Sequence, residues 1–219
     1  MILNACKGKS QTQSKAIYEN IEPVQTEPVN GIHKAYFASG CFWCVEAIYE
    51  SVKGVKEVIS GYSGGHTDNP TYESSNTGRT GHAEAVEVMY DPAVISFSDL
   101  VDVYFGSQNP TQINGQGPDR GSQYRSIIFY QNKEQKEIIQ QKKKTLSNEL
   151  NRKIAAEILP FQKFWKAEEY HQDYEKRNPH NPYIRNVSIP RLKLFQKKLH
   201  PLVLLLILFC LHEKISLVH

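Results

Sequence analysis

Hydrophobic and polar positions along the chain change period several times, and each change marks an element. Residues 7–31 show no period and are rich in Gln, Ser, Pro and Glu, so a flexible lead-in is expected there. Ala35, Tyr36, Phe37 and Ala38 make a short buried strand, which Gly40 breaks. Val45, Ile48, Tyr49 and Val52 then recur at the spacing of one helix face. Gly54 ends that helix, and residues 55–62 return to strand. Residues 63–80 form a long loop of Gly, Asn, Pro and Thr, and a loop of that length inside a domain usually carries function.

Ala83, Ala85, Val86, Val88 and Tyr90 predict the next strand, closed by Asp91 and Pro92. Ser96 and Asp99 read as a capping box for a helix through Leu100, Val103 and Tyr104. A second Gly-rich loop covers 109–122, and residues 124–130 predict a strand. Asn132 caps a long charged helix to about Leu150. A strand at 154–159 and a helix around 164–176 complete the body. The first six elements read β-α-β-β-α-β, the order of a ferredoxin-like α+β fold with helices on one face of a sheet. C-terminal helices and coil are added to it. One domain is expected over 32–199, between the lead-in 1–31 and an apolar tail 200–219 of unassigned role.

A chain of 219 residues is long enough to bury a real core. Its 26 basic and 23 acidic residues leave a net charge of +3, which is no nucleic-acid footprint. Lys142, Lys143 and Lys144 read as a solvated helix face. Four cysteines are too few for a disulfide scaffold. Cys6 and Cys210 lie near the ends, whereas Cys41 and Cys44 form a C-x-x-C pair in the body.

Both termini leave alternatives open. Leu3 to Cys6 is like the lipid-attachment end of a bacterial lipoprotein signal, without the charged start and apolar run that precede one. A cytoplasmic location is expected if Met1 is the true start, and a cell-envelope lipoprotein anchored at Cys6 if a signal lies upstream. The apolar run 202–211 is shorter than the roughly 20 residues a membrane span needs. Surface contact with a membrane, or a non-native tail, are the two readings of it.

The chemistry concentrates in Gly40-Cys41-Phe42-Trp43-Cys44-Val45-Glu46. A strand ends at Gly40 and a helix begins at Cys41. Free amides and the dipole at a helix start favour negative charge, which would lower a thiol there from about 8.5. Gly40 lets the backbone turn and would leave the sulfur exposed. Cys44, one turn on, can form a disulfide with Cys41 if the first turn adjusts. A zinc site would recruit His66 and His82, but a second paired ligand motif is missing. A thioredoxin-like oxidoreductase also uses C-x-x-C, but the intervening Phe42 and Trp43 and the element order speak against it. An inert buried pair fits poorly with a strand-to-helix turn.

Gly40-Cys41-Phe42-Trp43 resembles the signature of the A-type peptide methionine sulfoxide reductases. The likeness continues through Gly61-Tyr62-Ser63-Gly64-Gly65, Asn69-Pro70-Thr71-Tyr72, Gly81-His82-Ala83-Glu84-Ala85-Val86 and Asp119-Arg120-Gly121-Ser122-Gln123-Tyr124-Arg125-Ser126, over about 33–198. The resemblance implies a two-layer α/β sandwich around a ferredoxin-like core, and reduction of the S epimer of methionine sulfoxide, free or in proteins. It makes Cys41 the nucleophile on the sulfoxide sulfur and Glu84 the acid that protonates the oxygen. It makes Phe42 and Trp43 the apolar wall for the substrate methyl group. Tyr72 and Tyr124 become hydroxyl donors to the oxygen, and Asp119 a polar group of the same pocket; His82 is read as structural. Many members carry recycling cysteines in the tail, but residues 181–201 hold none, and the Cys-Phe-Trp-Cys form occurs in some members. Resolution of the Cys41 sulfenic acid therefore falls to Cys44, with thioredoxin or another dithiol restoring the thiols. No cofactor or metal, and a monomer, are expected. A relative that kept the fold but serves as an inactive redox sensor is the alternative.

Overall fold

The structure is a computed structural model that describes Tyr18 and residues 21–198. Its main sheet contains β1 (His33–Ala38), β2 (Val55–Ser63), β3 (Ala83–Tyr90), β6 (Ile127–Tyr130), β7 (Glu157–Pro160) and β8 (Phe164–Lys166). Their order across the sheet is β7-β6-β1-β3-β2-β8. Every pairing is antiparallel except β6 with β7. A separate hairpin joins β4 (Gly115–Gln116) to β5 (Asp119–Arg120). The helices are α1 (Phe42–Glu50), α2 (Tyr72–Asn76), α3 (Phe97–Gly106), α4 (Lys133–Leu150) and α5 (Tyr174–Arg177). A last helical run, 182–198, contains a π turn at Ile184–Ser188.

Alternation along the strands divides the core in two. Ala35, Phe37, Val86, Val88 and Ile128 face the side where α1 and α3 contribute Ile48, Tyr49, Leu100 and Val101. Tyr36, Ala38, Ala85, Ile127 and Phe129 face the other side with Leu159 and Phe161. β3 lies between β1 and β2, and seven of its eight residues are buried. A charged residue on it is therefore buried whichever way it points. The anticipated capping boxes and caps form: Ser96 with Asp99 starts α3, and Asn132 starts α4.

Three expectations change. The helix anticipated around 164–176 is instead β8, a 3-10 turn at Glu169–His171 and the four-residue α5. β8 lies tightly against β2 because Gly61 has no side chain: a Cβ there would collide with the Trp165 carbonyl oxygen. Asp173, at φ 51°, then breaks any continuous helix. The end of the lead-in, 21–31, is tied down: the Val24 amide donates to the Phe161 carbonyl at 2.8 Å, and the Thr26 amide to Gln131 Oε1 at 2.8 Å. Finally, the strand expected from 124 begins at Ile127, after a 3-10 turn at Ser122–Tyr124. Among the described residues no helix is long and apolar enough to cross a membrane. Cys6, Cys210 and the apolar run 202–211 lie outside the described residues.

Candidate active site

β1 ends at Ala38, and the chain must turn sharply to start α1. Gly40 makes that turn at φ +79°, where a Cβ would lie 2.6 Å from Gln116 Cβ. Cys41 is the N-cap of α1, with φ −57° and ψ 126°, and its side chain makes no capping bond. The first helical amide, Phe42 N–H, donates to Glu84 Oε2 at 3.0 Å. This bond ties β3 to the start of α1.

Cys41, Phe42, Trp43, Tyr72, Glu84, Asp119 and Tyr124 line one cavity of about 230 Å³, completed by Asn181 and Tyr183. All the anticipated site residues except Cys44 are thus on its wall. Cys44 lies behind it, 2% exposed, with its sulfur 3.7 Å from the Tyr183 hydroxyl. The same hydroxyl donates to Asp119 Oδ2 at 2.7 Å. Phe42 is fully buried, so it is wall and core at once. Trp43 stacks on Tyr174 with ring centroids 3.8 Å apart, and its indole N–H donates to His171 Nδ1 at 3.2 Å. Tyr72 opens α2, inside the loop 63–80, and its amide donates to Glu168 Oε1 at 2.9 Å. The other Glu168 oxygen accepts from the Tyr62 hydroxyl at 2.9 Å.

Burial decides the proton distribution. Glu84 is 2% exposed and pushed up to about 8, first by burial and then by the charges of Asp119 and Cys44, with the Phe42 amide opposing. Near neutral pH it is a neutral acid with a proton to give. The exposed, acidified Cys41 anticipated from the helix start is not found. Cys41 is buried, and its thiol is pushed well up by burial, by its hydrogen bond to Cys44 and by Glu84 once ionised. The helix amide that would have stabilised a thiolate is engaged by Glu84 instead. Cys44 moves the other way, to about 6. The hydrogen bond from Cys41 is the main cause, burial opposes it, and Arg191, Ser188 and Tyr183 add to it. The two thiols therefore share one negative charge near pH 7. Burial also raises Asp119, Tyr72 and Tyr124.

Sequence reasoning missed Asn181, Tyr183, Glu168, His171 and Arg191. They come from segments with no clean period, and each gains its meaning from a partner far along the chain. His82, in contrast, has both ring nitrogens engaged: Nδ1 accepts from the Gly65 amide at 3.1 Å and Nε2 lies 2.7 Å from the Thr67 carbonyl. Both contacts go to the loop after β2. Among the described residues no group of three or more His, Cys, Asp or Glu could hold a metal.

Sulfur that can give electrons, next to a carboxylic acid that can give a proton, is the chemistry of a thiol oxidoreductase. Comparison with known proteins narrows the class. The family model "Peptide methionine sulfoxide reductase" matches residues 33–202. The chain is 49% identical over 158 residues to the peptide methionine sulfoxide reductase MsrA of Pasteurella multocida, covering 72% of this chain and 91% of that one. It is 45% identical over 163 residues to the MsrA of Saccharolobus solfataricus, covering 74% and 92%. Among solved structures, the reduced form of Mxr1 from Saccharomyces cerevisiae superposes with a TM-score of 0.67 at 32% identity, over 74% of this chain and 93% of that one. Methionine sulfoxide reductase A of Corynebacterium diphtheriae gives 0.63 at 33%, over 74% and 84%. The chain belongs to the peptide methionine sulfoxide reductase family.

Proposed function

We propose that the chain reduces methionine S-sulfoxide, free or in proteins, with Cys41 as nucleophile, Glu84 as acid and Cys44 as resolving thiol. The observation that carries this reading is Glu84: a buried, protonated carboxyl in the same cavity as the Cys41 sulfur, held by the amide next to it. Phe42 and Trp43 form the apolar wall for the methyl group, and the stack on Tyr174 holds the indole in place. Tyr72 and Tyr124 present hydroxyls to the sulfoxide oxygen, whose partial negative charge grows as the S–O bond breaks. Asp119, bonded to Tyr183, completes the polar side.

The proton shared between the two thiols moves to Cys44, and the Cys41 thiolate attacks the sulfoxide sulfur. Glu84 protonates the oxygen, the oxygen passes to Cys41 as a sulfenic acid, and methionine leaves with two electrons from the thiol. Cys44 then attacks the sulfenic sulfur, a disulfide forms and water departs. Thioredoxin or another dithiol reduces that disulfide.

The catalytic unit is read as 32–199, a span that the family match at 33–202 supports. A ferredoxin-like description of its core is supported by the chain order β1-α1-β2-β3-α3-β6 and the sheet order β6-β1-β3-β2. The test is single turnover on peptides carrying each sulfoxide epimer, followed by peptide mapping. One equivalent of methionine from the S epimer and a Cys41–Cys44 disulfide are expected. Equal reduction of both epimers, or a disulfide to another cysteine, would overturn the assignment.

A further inference from the structure

The helical run 182–198 brings three side chains to the resolving cysteine. Tyr183 approaches its sulfur, Ser188 interacts with it, and Arg191 acts on it through charge. Arg191 is the best anchored of the three. Its Nη1 donates to the Ser39 carbonyl at 2.9 Å, its Nη2 to Ser39 Oγ at 2.7 Å, and its Nε to the Ser107 carbonyl at 2.9 Å. Nη1 also lies 3.6 Å from where a Gly40 Cβ would stand, so the guanidinium sits against the turn that delivers Cys41. All three acceptors are neutral, and none of the ion pairs among the described residues includes Arg191. No direct ion pair among the described residues neutralises it beside the C-x-x-C pair.

We propose that Arg191 is a positioning residue for the resolving step: it clamps the β1–α1 turn and presents a cation to the sulfur of Cys44 as it attacks Cys41. The proposal rests on the reading of Cys44 as the resolving thiol. In that step Cys44 gives up its proton, and its thiolate attacks the sulfenic sulfur of Cys41. The S–S bond forms, the S–O bond breaks, and the hydroxide leaves as water on taking the proton that Cys44 released. The thiolate must exist in a site nearly closed to solvent, where a fixed cation replaces the stabilisation that water would give.

The groups that bear on Cys44 are Cys41 and Ser188 by hydrogen bond, Tyr183 by its hydroxyl, Arg191 by charge, and Glu84, with which it interacts from β3. Arg191 itself also acts on Asp119, Tyr49 and Tyr104. Burial raises both Asp119 and Glu84, Arg191 opposes the rise at Asp119, and Glu84, at about 8, is mostly neutral at pH 7.

The test uses the full chain with Arg191→Gln, which keeps hydrogen-bond donors but not the charge, and Arg191→Lys, which keeps the charge. Each protein is mixed with one equivalent of a methionine S-sulfoxide peptide across a pH series, then quenched with an alkylating agent. Intact mass separates sulfenic acid from disulfide, and released methionine reports the first step. In Arg191→Gln the acid limb of disulfide formation should move up by about one pH unit, an effect of the size expected for loss of a nearby opposite charge. The step then slows roughly 10-fold below that limb and converges with wild type at high pH. Arg191→Lys should restore most of the wild-type limb. Uniform slowing at every pH in Arg191→Gln, or an unmoved limb, overturns the role of Arg191 while leaving Cys44 as resolver. Absence of a Cys41–Cys44 disulfide in the wild type overturns the reading of Cys44, and the proposal with it.

Discussion

The β1–α1 turn and the C-terminal stretch 167–198 meet at the same cavity but are built differently. The turn is made of regular elements: the central strand β1, its ladder neighbour β3, and a helix start tied to β3 by the bond from the Phe42 amide to Glu84. The C-terminal stretch is a 3-10 turn, the four-residue α5 and the helical run 182–198, which is interrupted by a π turn. Trp43 rests on Tyr174 and His171, and Cys44 on Tyr183, with Arg191 acting on it through charge. In the proposed mechanism Cys41 at the turn and Glu84 on β3 break the S–O bond, while the C-terminal stretch supports Trp43 and Cys44. Damage to the first region should stop the sulfoxide step, whereas loss of the second thiol, or of the Arg191 charge that the second region brings to it, should leave that step running and impair resolution of the sulfenic acid.

The largest effect is expected for Cys41→Ser, which removes the proposed nucleophile: no methionine should form from the S-sulfoxide, while circular dichroism stays that of the wild type. Measurable turnover would place the attacking sulfur outside the β1–α1 turn.

Glu84→Gln should slow single-turnover reduction by roughly 10²–10⁴-fold, the range for loss of a general acid. Its pH profile sharpens the point. In the proposed acid role Glu84 must be protonated, so wild-type activity should fall as pH rises through about 8. The thiol pair works only while it holds its negative charge, so activity should also fall as pH drops through about 6. In Glu84→Gln the alkaline limb should vanish and the acid limb remain. An alkaline limb that persists would mean that another group titrates there.

Cys44→Ser tests the other side of the comparison. It should release one equivalent of methionine and then stall with thioredoxin as reductant. Continued cycling at the wild-type rate would remove Cys44 from the resolving role.

The smallest effect concerns Glu46, which joins the two regions: it lies on α1, and its Oε1 accepts from the Asp173 amide at 3.2 Å. Burial raises it from 4.5 to about 8. A raised folded-state value gives stability that is fully present below 4.5 and lost as pH rises through about 8. Glu46→Gln keeps the acceptor and removes this dependence. Thermal melts should then show the variant above wild type at pH 8, by on the order of 1–3 kcal/mol, and level with it at pH 4. Equal pH slopes in the two proteins would show that Glu46 is ionised in the fold.

Legibility along the chain follows the same division. The turn at Gly40, the helix after it and the caps at Ser96 and Asn132 are local, and all were readable from a few neighbouring residues. The placement of Glu84 was not, because β3 is covered on both faces and its burial pattern carries no alternation to read. His171, Tyr183 and Arg191 were invisible because their partners lie 128, 139 and 152 residues away.

Hydrophobic period, glycine positions and capping residues determined which elements form and put Cys41 at a helix start, since these depend on contacts within a turn or two. Only the tertiary structure decided the charge on each group. It gave the helix amide to Glu84 rather than to Cys41, buried both thiols, and set Arg191 against their turn. Proton affinities depend on solvent exclusion and on charges brought together through space, and neither is a property of adjacent residues.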